Sequence, residues 1–152
     1  MGFAKLSLTG RALRLLAQRE HSRLELERKL APHVEEGEDL AAVLDALTAK
    51  GFISPERVAQ SVVYTRSKKL GTARIVQELR NKGLDDDTVR AATAELRETE
   101  HARAYAVWQQ KFGTPPATPQ ERMKQMRFLA SRGFGGEVVS KVLRGQAPEA
   151  WS

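Results

Sequence analysis

The sequence predicts an all-α protein of tandem three-helix repeats, and three observations carry that expectation. Apolar residues recur three and four positions apart along nearly the whole chain, and no stretch alternates with a period of two between hairpin turns. Glycine, proline and capping residues fall between those stretches rather than within them. A phrase made of cations, a serine or glycine, and a short amphipathic segment comes round three times.

The elements follow in chain order. Leu8, Ala12, Leu13, Leu15 and Leu16 open a first helix, with Thr9 as its candidate cap. Ser22 and Glu25 have the spacing of a capping box and open a second helix, which Pro32 ends or in whose frayed last turn it falls. HVEEGE is a loop, and Leu40, Val43, Leu44 and Leu47 mark a third helix that stops at Gly51. Ser54 followed by Pro55 then starts the order again, with Val58, Val62 and Thr65 at helical spacing. Gly71 breaks that helix, Ile75, Val76 and Leu79 carry the next, and Gly83 closes it. Asp85, Asp86 and Asp87 suit a helix N-terminus, ahead of Val89, Ala92 and Leu96. No glycine or proline interrupts the chain from there to Gly113, so this helix is expected to run through Tyr105, Trp108 and Phe112. TPPATP at 114–119 is a linker.

LAQREHSRLELERKL at 16–30, TRSKKLGTARIVQEL at 65–79 and LASRGFGGEVVSKVL at 129–143 align without a gap. Arg19, Lys68 and Arg132 coincide, as do Ser22, Gly71 and Gly135, then Leu26, Ile75 and Val139, then Leu30, Leu79 and Leu143. A single such unit leaves an apolar face that stacking must bury. Repeats are therefore placed at 1–53, 54–100 and 101–152, forming an elongated, curved body. The last is entered by the long helix and shortened, since Pro148 and Trp151 cannot continue an amphipathic pattern.

Composition narrows the function. A net charge of +6 over 152 residues favours an anionic partner: nucleic acid, an acidic protein surface or an anionic membrane. Cysteine is absent, which removes disulfides, thiolate metal sites and a cysteine nucleophile, and agrees with a reducing cytoplasm. The opening MGFAKLSLTGRALRLLAQRE carries charges too early for a secretory segment or a membrane span. His21, His33 and His101 lie far apart, without the spacing of a metal helix, and are expected at surfaces or helix ends. GFGGEVVSK lacks the lysine and hydroxyl of a phosphate loop, and no serine has a base and an orienter by motif. No catalytic residue, metal or cofactor is expected, and the chain is not expected to be an enzyme.

Charge is segregated instead. Arg57, Arg66, Lys68, Lys69, Arg74, Arg80 and Lys82 face only Glu78 between 57 and 82, and Arg122, Lys124, Arg127, Arg132, Lys141 and Arg144 face only Glu137 between 122 and 144. Acids gather around the third helix of each unit, at Glu35 to Asp45 and Asp85 to Glu100. A basic stripe on an extended body would follow a polyanion or an acidic groove. Tyr64, Phe128 and Phe134 lie near it and fit core packing as well as base stacking.

On these phrases the chain resembles the RecX family, bacterial regulators of the RecA recombinase. KGFIS at 50–54, VAQSVVYTRSKKLGTARIVQELRNKGL at 58–84 and RFLASRGFGGEVVSKVL at 127–143 carry the likeness. The family's middle phrase is matched by Arg66, Lys68, Gly71, Arg74, Leu79, Lys82 and Gly83, and its terminal phrase by Phe128, Leu129, Arg132, Gly133 and Phe134. Ser54 and Pro55 stand where the family often has acids.

The resemblance implies a monomeric cytoplasmic protein of DNA repair and the SOS response. It would lodge in the groove of the RecA filament on DNA, hinder ATP hydrolysis and strand exchange, and promote filament loss. The expected partner-binding residues are Arg57, Arg66, Lys68, Lys69, Arg74, Arg80, Lys82, Arg127, Arg132, Lys141 and Arg144, against the recombinase and single- or double-stranded DNA. The alternative is a helical protein that acts directly on DNA, because helix, glycine turn and basic helix also match helix-turn-helix order. Membrane binding is not expected.

Overall fold

The computed structural model describes residues 6–148, so Trp151 lies outside the described residues. These form helices α1 (Leu8–Gln18), α2 (Arg23–Leu30), α3 (Leu40–Ala49), α4 (Pro55–Arg66), α5 (Thr72–Asn81), α6 (Asp86–Lys111), α7 (Pro119–Ser131) and α8 (Gly136–Leu143). A 3-10 turn at Ala31–His33 follows α2, and no strand occurs among the described residues.

The helix starts obey their local chemistry. Ser22 Oγ accepts from the Glu25 amide at 3.1 Å while Glu25 Oε1 accepts from the Ser22 amide at 3.1 Å, completing the expected capping box. Ser54, Asp85 and Thr118 accept from the amides of Arg57, Thr88 and Glu121, with Pro55 and Pro119 just inside α4 and α7. The first cap is Ser7 rather than Thr9. Ser7 has extended backbone and its Oγ accepts from the Gly10 amide at 3.0 Å, whereas Thr9 already lies inside α1 and cannot fold back on that end. Gly51 and Gly83 end α3 and α5 with φ of +83° and +77°, the left-handed geometry in which glycine carries no Cβ penalty.

Three separate cores line the described residues. Leu8, Ala12, Leu26, Leu30, Leu44, Leu47 and Ile53 close the first, between α1, α2 and α3. Ala59, Val62, Ile75, Leu79, Val89, Ala92 and Leu96 close the second, between α4, α5 and the first half of α6. Ala104, Trp108, Leu129, Phe134, Val139, Val142 and Leu143 close the third, between the second half of α6, α7 and α8. No helix follows α8 among the described residues, so the third core obtains its third wall from α6. That helix of 26 residues, about 39 Å at 1.5 Å per residue, serves two cores in succession.

Units in a row leave more surface than a sphere. The chain exposes 9918 Å², against about 7,700 Å² for a compact monomer of its mass. Buried polar side chains are nonetheless satisfied among the described residues. Trp108 Nε1 donates to Gln125 Oε1 at 2.8 Å, and Gln125 Nε2 donates to the Thr114 carbonyl at 3.1 Å. His21, expected at a surface or a helix end, is only 1% exposed. Burial, aided by the nearby Arg19 and Lys29 charges, holds its pKa below the ordinary value, although a hydrogen bond to the Arg19 carbonyl opposes this. Its neutral ring fits both neighbours: Nδ1 lies 3.0 Å from that carbonyl and Nε2 lies 3.2 Å from Lys29 Nζ.

Candidate partner-binding site

The repeated cationic phrases fall at the elbows between α4 and α5 and between α7 and α8. These two elbows meet backbone to backbone. The Gly71 amide donates to the Arg132 carbonyl at 2.7 Å and the Ala73 amide to the Gly133 carbonyl at 3.2 Å. A Cβ at Gly71 would stand 2.3 Å from the Gly133 carbonyl carbon, so the approach excludes any side chain there. Gly133, at φ +96°, is equally confined, since a Cβ would lie 2.4 Å from Arg74 Cγ. The N-terminus of α5, whose N-cap Gly71 has no side chain to offer, is thus capped by the C-terminal turn of α7, with Glu100 Oε1 accepting from the Thr72 amide at 3.3 Å.

A residue outside the sequence expectation secures this joint. Arg103 on α6 donates to the carbonyls of Leu70 at 2.5 Å, Leu96 at 3.0 Å and Ser67 at 3.1 Å, and to Thr99 Oγ1 at 3.0 Å. Its guanidinium carbon lies 5.9 Å from the Phe134 ring centre, so one side chain holds the second elbow and touches the third core. Burial lowers its pKa, with Glu100 opposing, yet a guanidinium stays charged. Helical periodicity gave no signal for it, because a polar residue at an interior position looks the same in sequence as one on a wet face.

The expected binding residues divide by what they touch. Lys68, Lys69, Arg80 and Arg127 are exposed and make no ion pair with any described residue. Arg74 Nη1 donates to the Ser131 carbonyl at 2.8 Å, and the Arg132 guanidinium stacks 4.8 Å from the Phe128 ring centre. Arg66 pairs with Glu78 at 3.0 Å, Lys141 with Glu137 at 3.8 Å, and Arg144 reaches Ser140 at 3.4 Å. Lys68, Lys69, Arg74 and Arg132 therefore lie in or beside the two elbows joined at Gly71 and Gly133, whereas Arg127 lies within α7, a turn before its end, and is not part of that joint.

Arg57 and Lys82 do something else. Arg57 Nε donates to Glu20 at 2.9 Å and its Nη2 to the Gly51 carbonyl at 2.7 Å, while Lys82 Nζ lies 3.2 Å from Glu25. Both clasp the first unit to the second. Glu25 also accepts from Arg19 at 2.7 Å. Burial works against its ionised form, but the bonds from Arg19, the Ser22 amide and Lys82 together outweigh that and bring its pKa to about 2.

Of the aromatics near the stripe, Phe134 is core and Phe128 half-buried, whereas Tyr64 is 81% exposed. Among the described residues no group of acids, histidines or cysteines is placed to hold a metal, and no helix is long and apolar enough to cross a membrane.

Known proteins share this arrangement. Residues 56–92 match the second three-helix domain of RecX and residues 98–143 the third. The chain is 52% identical over 140 residues to the regulatory protein RecX of Leptothrix cholodnii, covering 92% of this chain and 89% of the relative. It is 49% identical over 140 residues to that of Ralstonia nicotianae, covering 92% and 88%. The crystal structure of RecX from Lactobacillus salivarius superimposes with a TM-score of 0.77 at 18% identity, over 91% of this chain and 94% of that one. That last likeness establishes the shared fold of tandem three-helix units; the domain matches and the close relatives together place this chain in the RecX family of regulatory proteins.

Proposed function

We propose that the chain binds the RecA recombinase filament on DNA, in the cytoplasm, and regulates it negatively. It slows ATP hydrolysis and strand exchange and favours loss of the filament, acting by binding and not by a reaction of its own. The family carries the regulatory role, and the relatives bear the name of regulatory protein. The observation that supports the docking surface is the Gly71 to Arg132 contact. It joins two cationic elbows into one region on an extended pair of units, and a filament offers partner surface over such a length.

Direct action on DNA by a helix-turn-helix is less well supported at the second unit. A recognition helix presents its N-terminal residues to base edges. Here the amides at the start of α5 are already engaged, those of Gly71 and Ala73 by the elbow between α7 and α8 and that of Thr72 by Glu100 Oε1 at 3.3 Å, which packs this end of α5 against the third unit and α6.

The test is an ATPase titration of the recombinase on single-stranded DNA, with wild type and a Lys68→Glu, Lys69→Glu double variant. Wild type should inhibit at or below one chain per recombinase subunit. The variant should need about tenfold more, a difference of about 1.4 kcal/mol. Unchanged hydrolysis with wild type, together with firm and steeply salt-dependent binding to bare DNA, would transfer the assignment to the DNA-binding reading.

A further inference from the structure

Two surfaces remain that the basic elbows do not use. One is the outer face of α7, where Met123 and Met126 are 42% and 36% exposed and Ala130 continues the same ridge one turn on. Arg122, Lys124 and Arg127 flank it, exposed and without an ion pair among the described residues. Methionine ridges of this kind adapt to an apolar partner through flexible, polarisable side chains.

The other is a groove of about 410 Å³ between α4 and the first turns of α6. Ala59, Val63, Ala91 and Ala92 form its apolar lining, and Glu56, Asp87 and Glu95 stand along it. Asp85 caps α6, but Asp87 and Glu95 make no ion pair with any described residue. Tyr64 stands one helical turn beyond Gln60, which lines the groove, and offers a bare aromatic face at that end. Small residues admit a close helix approach, and the acids select a cationic one.

We propose that a second copy of this chain occupies the groove: the α7 ridge of one copy docks between α4 and α6 of another. Each surface supplies what the other lacks, namely methionines for an alanine-lined channel and three cations for three acids. The ridge belongs to the third unit and the groove to the second, so the contact is heterologous. It closes into a dimer when reciprocated and propagates along a row when not. Exposed charge pairs contribute little each, so the association is weak in free solution and strengthens where a repetitive partner holds copies side by side.

Sedimentation of the chain alone at low salt tests this without any recombinase, so its outcome is separate from that of the proposed function. Wild type should grow heavier with concentration. Lys124→Glu with Arg127→Glu, and separately Asp87→Lys with Glu95→Lys, should each weaken association about tenfold. An equimolar mixture of the two double variants should recover it, because the reversed ridge then meets a reversed groove. The cysteine-free chain allows a positional check: Met126→Cys and Ala91→Cys copies, mixed and mildly oxidised, should form a mixed disulfide. A monomer at every soluble concentration, a mixture no heavier than its parts, or absence of that disulfide overturns the proposal. So does loss of recombinase binding in the groove variant without any self-association, which would assign the groove to the recombinase.

Discussion

The Gly71 amide donates to the Arg132 carbonyl at 2.7 Å, so the elbow of one repeat is hydrogen-bonded by its backbone to the elbow of the next. The first repeat is joined to the second through side chains: Arg57 with Glu20 and the Gly51 carbonyl, Lys82 with Glu25, and Leu24 against Gly83. Units two and three also share α6, which contributes to both of their cores, and the first unit is clasped to them.

Gly71→Ala should break the joint between the elbows. Its new methyl would meet backbone at 2.3 to 2.4 Å, which neither elbow relieves without losing the Gly71 and Ala73 hydrogen bonds. We expect a loss of about 2–4 kcal/mol in urea unfolding, as for overpacking combined with broken bonds. Gly37→Ala is the control: φ is +85° but open space surrounds it, so only the backbone penalty of about 1 kcal/mol should appear. Equal losses at the two sites would show that contact between the elbows contributes nothing.

Arg103 ties three carbonyls of the second unit and touches Phe134 of the third. Arg103→Met should cost about 2–4 kcal/mol, because those carbonyls lose a charged donor at a half-buried site. Arg103→Lys should recover less than half of that, since an ammonium cannot span the fork of acceptors. Thermal unfolding of the two variants measures the difference, and a lysine variant as stable as wild type would refute the fork argument.

What could be read from the chain follows from the range of the physics involved. The box at Ser22 and Glu25, the proline-led starts at Pro55 and Pro119, and the glycine stops at Gly51 and Gly83 depend on neighbours within a few residues. Periodicity likewise marked Leu26, Ile75 and Val139 as equivalent core positions, and all three are buried. The contact of Gly71 with Gly133 joins residues far apart in sequence, and no local pattern announces it. Arg57 and Lys82 read as members of a cationic stripe for the same reason: Glu20 and Glu25, which engage them, lie in another repeat. Ser7 and Thr9 both carry a capping hydroxyl, and only the extended backbone at Ser7 distinguishes them.

Acid should loosen the first unit in two stages. His21 has a folded pKa below its unfolded value, so the unfolded chain takes up a proton first and stability begins to fall below about pH 6.5. Glu25 has a folded pKa of about 2 against 4.5 unfolded, so its contribution is complete above pH 4.5 and is lost as pH falls toward 2. That second loss is on the order of 2 kcal/mol, allowing for partial contact with solvent. Unfolding free energy measured from pH 7 to pH 3 should flatten below pH 4.5 in Glu25→Gln, and an unchanged slope there would remove Glu25 as its source.

Cations of one phrase should separate into two behaviours. Lys68→Glu and Lys69→Glu touch no partner within the chain, so stability should change by no more than about 0.5 kcal/mol. Lys82→Glu places a like charge beside Glu25 at a site where both side chains are less than one-fifth exposed, and should cost about 2–3 kcal/mol. Arg57→Glu meets Glu20 at a more exposed site and should cost about 1 kcal/mol. Binding to the recombinase should show the opposite ranking, with Lys68 and Lys69 the most sensitive once the stability loss is accounted for by measuring at saturating folded protein. Parallel rankings in unfolding and in binding would mean that the free lysines hold no partner, and that loss of function in this phrase is only loss of fold.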